Sequence, residues 1–147
     1  MNTVDIHNLE RFLSAQAVDY EVALEELCRG AKKSHWMWYI FPQADGLGSS
    51  SMAARYAIKT KEEAIAYLRH KVLGTRLNEC SAALLGVEGK SIDEIVGFPD
   101  NLKLKSSMTL FASISPSDNV FQAVLDRYYG GAMDERTLVF LAKSESE

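Results

Sequence analysis

Apolar residues recur at three- and four-residue spacing along most of the chain, and the breaks in that pattern fall at glycines, prolines and capping residues. That combination predicts a succession of short amphipathic helices. Ile6, Leu9, Phe12 and Leu13 place a helix between Asp5 and Gln16, with Asp5 as its cap. Asp19 opens a second, with Tyr20, Val22, Ala23, Leu24 and Leu27 on its apolar face and Gly30 as its stop. Glu10, Arg11, Glu21, Glu25 and Glu26 fall on what reads as the solvated face of these scaffold helices.

Thr60 to Glu63 (TKEE) has the form of a capping box, in which hydroxyl and carboxylate each take an N–H of the first turn. Ala64, Ile65, Tyr67 and Leu68 continue that helix to His70. Val72, Leu73, Leu77, Cys80, Leu84 and Leu85 carry the next one to Gly86, and such close succession predicts an antiparallel pair. Ser91 to Glu94 (SIDE) is a second capping box, opening a short helix through Ile95 and Val96 that Gly97 and Pro99 break.

Between Asp100 and Ile114 the pattern is ambiguous. LKLK alternates like a strand, while Leu104, Met108, Leu110 and Phe111 keep helical spacing; Asp100 as a cap and Pro116 beyond the end favour helix. Asn119 to Tyr129 presents Val120, Phe121, Val124, Leu125 and Tyr128 on one face and ends at Gly130 and Gly131. A last helix runs from a cap at Asp134 through Leu138, Val139 and Leu141, and the polar tail 143–147 is expected to fray. The expectation is an all-α fold: one domain over 1–147, an orthogonal bundle of seven or eight helices around a single core.

One stretch breaks the pattern. From Lys32 to Ile58 (KKSHWMWYIFPQADGLGSSSMAARYAI) no period is sustained, although both tryptophans lie there. Six large residues in a row, Trp36 to Phe41, cannot all face inward from one helical turn, so some of them should line a cleft or plug a neighbouring surface. Gly46-Leu47-Gly48 is either a tight turn or a loop whose amides cradle an anion, with Ser49, Ser50 and Ser51 adding donors or capping the helix that follows. It matches neither a dinucleotide fingerprint nor a P-loop. His35 has the pKa range of a general acid or base, or serves as a structural donor. Lys103, Lys105, Ser106, Ser107 and Thr109 form a second polar concentration, a pocket wall or a set of hydroxyls bonded back to their own helix.

Composition narrows the functional classes. With 47% hydrophobic and 24% charged residues, the 147-residue chain can bury a real core. A net charge of −4 argues against an extended nucleic-acid surface. Five basic residues against one acid between Lys32 and Lys61 nonetheless make a +4 island that favours a small anion. Cys28 and Cys80 lack metal-ligand or disulfide-framework spacing and read as buried thiols. There is no HExxH and no Cys/His cluster, and so no expected metal. Neither a basic-then-apolar leader nor a run of eighteen apolar residues is present, which leads us to expect a cytoplasmic chain without a membrane span.

Several segments together resemble the DUF1810 family of small all-helical bacterial proteins of unassigned function. They are Ser34-His35-Trp36-Met37-Trp38 with Phe41-Pro42-Gln43, then Gly46-Leu47-Gly48 followed by Ser51, Ala54, Tyr56 and Ile58, and Glu63-Ala64 with Tyr67-Leu68. The likeness continues in His70, Val72-Leu73-Gly74, Arg76-Leu77, Lys103-Leu104, Ser106 to Phe111, Tyr128, Gly131, Asp134 and Thr137. Lys71 departs from it, standing where the family's pattern has proline, which loosens the entry to that helix. The resemblance implies an all-α domain and joins the central stretch to the Lys103–Phe111 segment as one site; it implies no reaction.

The candidate ligand-binding set is therefore His35, Trp38, Gln43, Gly46, Gly48, Ser51, Arg55, Tyr56, Lys103 and Ser107, for a small anionic or nucleotide-like molecule, with His35 as the candidate catalytic group. Two other readings stand beside it: a protein-interaction module built on the aromatic cluster, and motifs that only hold the fold. The sequence names no cofactor and no oligomeric state.

Overall fold

The computed structural model describes residues 4–146, with side chains through Ser144. Its helices are α1 (Glu10–Arg29), α2 (Met37–Ile40), α3 (Ser51–Arg55), α4 (Lys61–Arg69), α5 (Lys71–Leu85), α6 (Ile92–Val96), α7 (Asp100–Ser113), α8 (Val120–Tyr129) and α9 (Glu135–Ser146). The fold is all-α. Among the described residues the extended backbone amounts to one isolated parallel bridge, Ala44 with Ile58, which closes the ends of the Gly46–Gly48 loop onto each other.

The two helices expected before Gly30 are a single helix, α1. Their apparent boundary arises because the inward position at that point is polar: Gln16 is 1% exposed and donates to the Tyr39 carbonyl and the Tyr67 hydroxyl. The inward face continues through an amide, so a hydrophobic count loses it. Asp19 lies inside the helix and accepts from the Tyr39 hydroxyl. Helix α1 starts at Glu10 with Leu9 as its N-cap, not at Asp5; the Asp5 carboxylate instead takes the amides of Leu9 and Glu10 at 2.8 and 2.9 Å, and Ile6 lies outside the helix and is exposed. Cys80 is buried as expected, and burial pushes its thiol up to about 12, whereas Cys28 on the outer face of α1 is exposed.

Other entries to helices follow local chemistry. Ser91 and Glu94 close the full capping box at α6. At α4 only half of one forms: Thr60 accepts from the Glu63 amide, but the Glu63 carboxylate turns to the Lys59 amide and to Arg11. The start of α5 is capped by the His70 ring, whose Nδ1 accepts from the amides of Val72 and Leu73. Asp100 does not cap α7; it is that helix's first residue and pairs with Lys32 at 2.8 Å. The last helix, α9, is capped by Asp134 and continues through Ser146, into the segment expected to fray; residue 147 lies outside the described residues.

The core runs as a chain of rings from α1 to α8. Phe12 meets Tyr67 edge-on at 5.0 Å, Tyr67 meets Phe111 at 5.5 Å, and Phe111 meets Phe121 at 5.9 Å. Leu73, Leu77 and Leu84 of α5 complete it, each contributing about 1.5–3 kcal/mol of burial. Gly74 lets α5 lie directly on the end of α4, since a Cβ there would sit 2.1 Å from the Leu68 carbonyl oxygen. All residues from Ser106 to Ala112 of α7 are buried, so this part of the helix is enclosed on every side. That enclosure leaves the stretch without a polar face to set a helical period, while Leu102 nearer the start of the helix is exposed.

Candidate functional site

The irregular stretch is held down by charged groups from other elements. Glu26 of α1 accepts from the amides of Lys33 and Ser34, the Ser34 hydroxyl and the indole Nε1 of Trp36, at 2.6–3.0 Å. Desolvation alone would raise its pKa, but these four donors overrule it and hold the carboxyl down at about 2. Far from belonging to a solvated face, Glu26 anchors the Ser34–Trp36 motif. Arg11 is likewise spent internally, on the carbonyls of His7, Asn8, Arg55 and Ala57 and on the Glu63 carboxylate. Lys32 bonds the Ser34 carbonyl as well as Asp100 and lies over the Trp36 ring, so part of the +4 island is neutralised in space.

With its backbone so fixed, the aromatic run buries Trp36, Met37, Tyr39, Ile40 and Phe41. They all fit inside because α2 is a single turn packed into the core. Trp38 is the member left at the surface of the cluster, and it lines a cleft, together with Met37, Phe41, Gln43, Ala53, Tyr56 and Lys103. The Lys103 ammonium lies 5.2 Å from the Trp38 ring centroid. The Trp38 Nε1 is buried and has no hydrogen-bond partner. Space at this recess, about 10 Å³, admits little more than one water-sized group.

The recess shares Gln43 and Lys103 with a cleft of about 270 Å³ whose other walls are Leu47, Pro99, Leu102, Lys105, Ser106, Asp134 and Arg136. Arg136 of α9 donates to the Gly46 carbonyl at 2.8 Å and so ties the glycine loop to the C-terminal helix. Gly46 takes φ +88°, and a Cβ at Gly48 would sit 2.6 Å from the Ala53 Cβ; both positions need glycine, the first for its dihedral and the second for its close approach to α3.

Of the candidate residues, Trp38, Gln43, Tyr56 and Lys103 line the recess together. Gly48 lies against Gln43 and Ala53, and Gly46 lines a neighbouring hollow with Asp45, Leu47, Arg136 and Lys143. Ser51 is exposed at the start of α3, which Ser50 caps. Arg55 is exposed, stacks over Tyr56 and lines a different cavity with Arg11, Lys59 and Glu63. His35 is exposed, its carbonyl accepting from the Tyr39 hydroxyl. Ser107 is fully buried in α7 with its hydroxyl unpartnered. The hydroxyls of Ser106 and Thr109 bond back to the carbonyls of Leu102 and Lys105.

Sequence reasoning missed Arg136 altogether and read Asp134 as a helix cap and as part of the family resemblance, not as a residue of the site. Arg136 reaches Gly46 across 90 positions, and no periodicity could have announced that contact. Among the described residues no group of His, Cys, Asp or Glu is arranged to hold a metal ion, and no helix is long and apolar enough to cross a membrane.

A family model described as a protein of unknown function (DUF1810) matches residues 6–141. The chain is similar to a solved structure, the conserved hypothetical protein Rv1873 from Mycobacterium tuberculosis, with 53% identity and a TM-score of 0.92 over 94% of this chain and 99% of that one. No curated protein matches.

Proposed function

The chain belongs to the DUF1810 family, whose function is unknown, and we propose from its own geometry that it binds a small anionic ligand at Trp38, Gln43, Tyr56 and Lys103. The observation that carries this reading is Trp38 itself, whose buried indole N–H has no partner and whose side chain lines a recess beside the Lys103 ammonium. An orphan buried donor costs about 1–3 kcal/mol, and an acceptor placed against it recovers that cost. The nearby Lys103 charge makes a negatively charged acceptor the best fit.

The interaction-module reading needs the indoles flat and exposed, whereas Trp36 is 0% exposed and Trp38 carries its exposed surface in a concave wall. The fold-holding reading applies well to Ser34 and Trp36, which Glu26 secures, and leaves the Trp38 donor unexplained.

Thermal melting against a panel of phosphate- and carboxylate-bearing metabolites tests the proposal, alongside native mass spectrometry of the freshly purified protein for a retained small molecule. Binding at this recess raises the wild-type melting temperature, and Lys103→Met and Trp38→Phe lose the response. Arg55→Ala, in a separate cavity, retains it. A wild type that responds to nothing on the panel and retains no small molecule refutes the reading.

A further inference from the structure

We infer that the ligand is a phosphate monoester carrying an apolar group, its phosphate held among Lys103, Lys105 and Arg136 and its apolar part lying along Leu47, Pro99 and Leu102. This rests on the binding reading above and specifies its substrate class.

Three cations and one carboxylate line the cleft of about 270 Å³. That carboxylate, Asp134, is turned to its own helix, where it takes the Thr137 amide and hydroxyl at 2.9 and 2.6 Å. Lys103 lies 3.8 Å from one Asp100 oxygen, while the other Asp100 oxygen is held by Lys32 at 2.8 Å. Among the described residues, neither Lys105 nor Arg136 is within ion-pair distance of a carboxylate, and Arg136 spends one Nη2 hydrogen bond on Gly46 out of five donors. Three cations against one carboxylate leave the lining net positive, which favours a dianion over a monoanion. At neutral pH a phosphate monoester carries about −1.5 to −2, where a carboxylate carries a single charge. The planar Arg fork also matches phosphate geometry.

Size and polarity supply the rest. The cleft is at the small end of ligand sites, which suits a compact molecule rather than a polymer track. Part of its lining is apolar: Leu47, Pro99 and Leu102, the last 52% exposed, offer a surface that inorganic phosphate would leave wet. Gln43 and Lys103 line both this cleft and the Trp38 recess, so a ligand held by Lys103 borders the side chain whose indole N–H lacks a partner.

Isothermal titration of the full chain with phenyl phosphate, benzoate and inorganic phosphate separates the possibilities, with a phosphotyrosine pentapeptide to distinguish a modified side chain from a free monoester. Phenyl phosphate, or the phosphopeptide, binds about tenfold more tightly than either benzoate or inorganic phosphate. Lys105→Gln removes most of that margin because it weakens phenyl phosphate more than benzoate, while Trp38→Phe weakens both aromatic acids. Equal binding of benzoate and phenyl phosphate, indifferent to Lys105→Gln but sensitive to Trp38→Phe, overturns the monoester inference and spares the binding reading. No binding of any probe overturns both.

Discussion

Glu26→Gln is the substitution that most directly probes how the irregular stretch is held. The carboxylate gathers four donors, two from backbone and two from side chains, and its pKa is held at about 2 against an ordinary 4.5. At about 1.4 kcal/mol per unit, that depression corresponds to roughly 3 kcal/mol of preference for the folded state. Glu26 is part-buried, and solvent screening reduces the usable amount to about 1–2 kcal/mol. Because the folded pKa lies below the unfolded one, this stabilisation is complete above about pH 4.5 and is lost as the pH falls toward 2. Urea unfolding followed by circular dichroism at pH 7 and pH 3 therefore shows Glu26→Gln less stable by about 1–2 kcal/mol at the higher pH and by less than half of that at the lower. Comparing wild type and variant at each pH cancels the titration of other carboxylates. An equal deficit at both pH values, or none at pH 7, refutes the role assigned to the charge.

Two further substitutions test the scaffold around the site. Arg11→Met strands the Glu63 carboxylate, 4% exposed, and four carbonyl groups, and costs about 3–5 kcal/mol in urea unfolding. Pairing it with Glu63→Gln costs less than the two single losses together, and additivity would show that the pair does not interact. Gly74→Ala forces a methyl group against the Leu68 carbonyl at 2.1 Å and destabilises by about 1–3 kcal/mol, with an unchanged melting temperature as the contrary outcome.

Much of the architecture was legible because helix ends are local. A hydroxyl three residues before a carboxylate caps its own turn whatever surrounds it, and Ser91 with Glu94 do so as their spacing required. Thr60 and Glu63 share that spacing, yet Glu63 left the box for Arg11, a partner 52 positions away. Inward positions failed to register where they were polar, as at Gln16, or where the helix was enclosed on all sides, as in the buried part of α7. Glu26 and Arg11 looked like solvated charges because a sequence shows a residue's type and not the groups brought against it.

The candidate site divides in the same way. Trp38, Gln43, Tyr56 and Lys103 could be named from an aromatic run, a glycine loop and a polar helix segment, and they line one recess. His35, Arg55 and Ser107 belonged equally to those segments, but the fold leaves the first exposed, turns the second to another cavity and encloses the third in the core.

By itself the sequence determined an all-helical chain, most of its helix boundaries and the segment where chemistry concentrates, since periodicity and capping act within a few residues. Only the tertiary structure decided which cations remain unpaired, which indole N–H lacks an acceptor, and that Arg136 ties the glycine loop to the C-terminal helix. Those properties depend on distances between residues far apart in the chain, and local propensity carries no information about them.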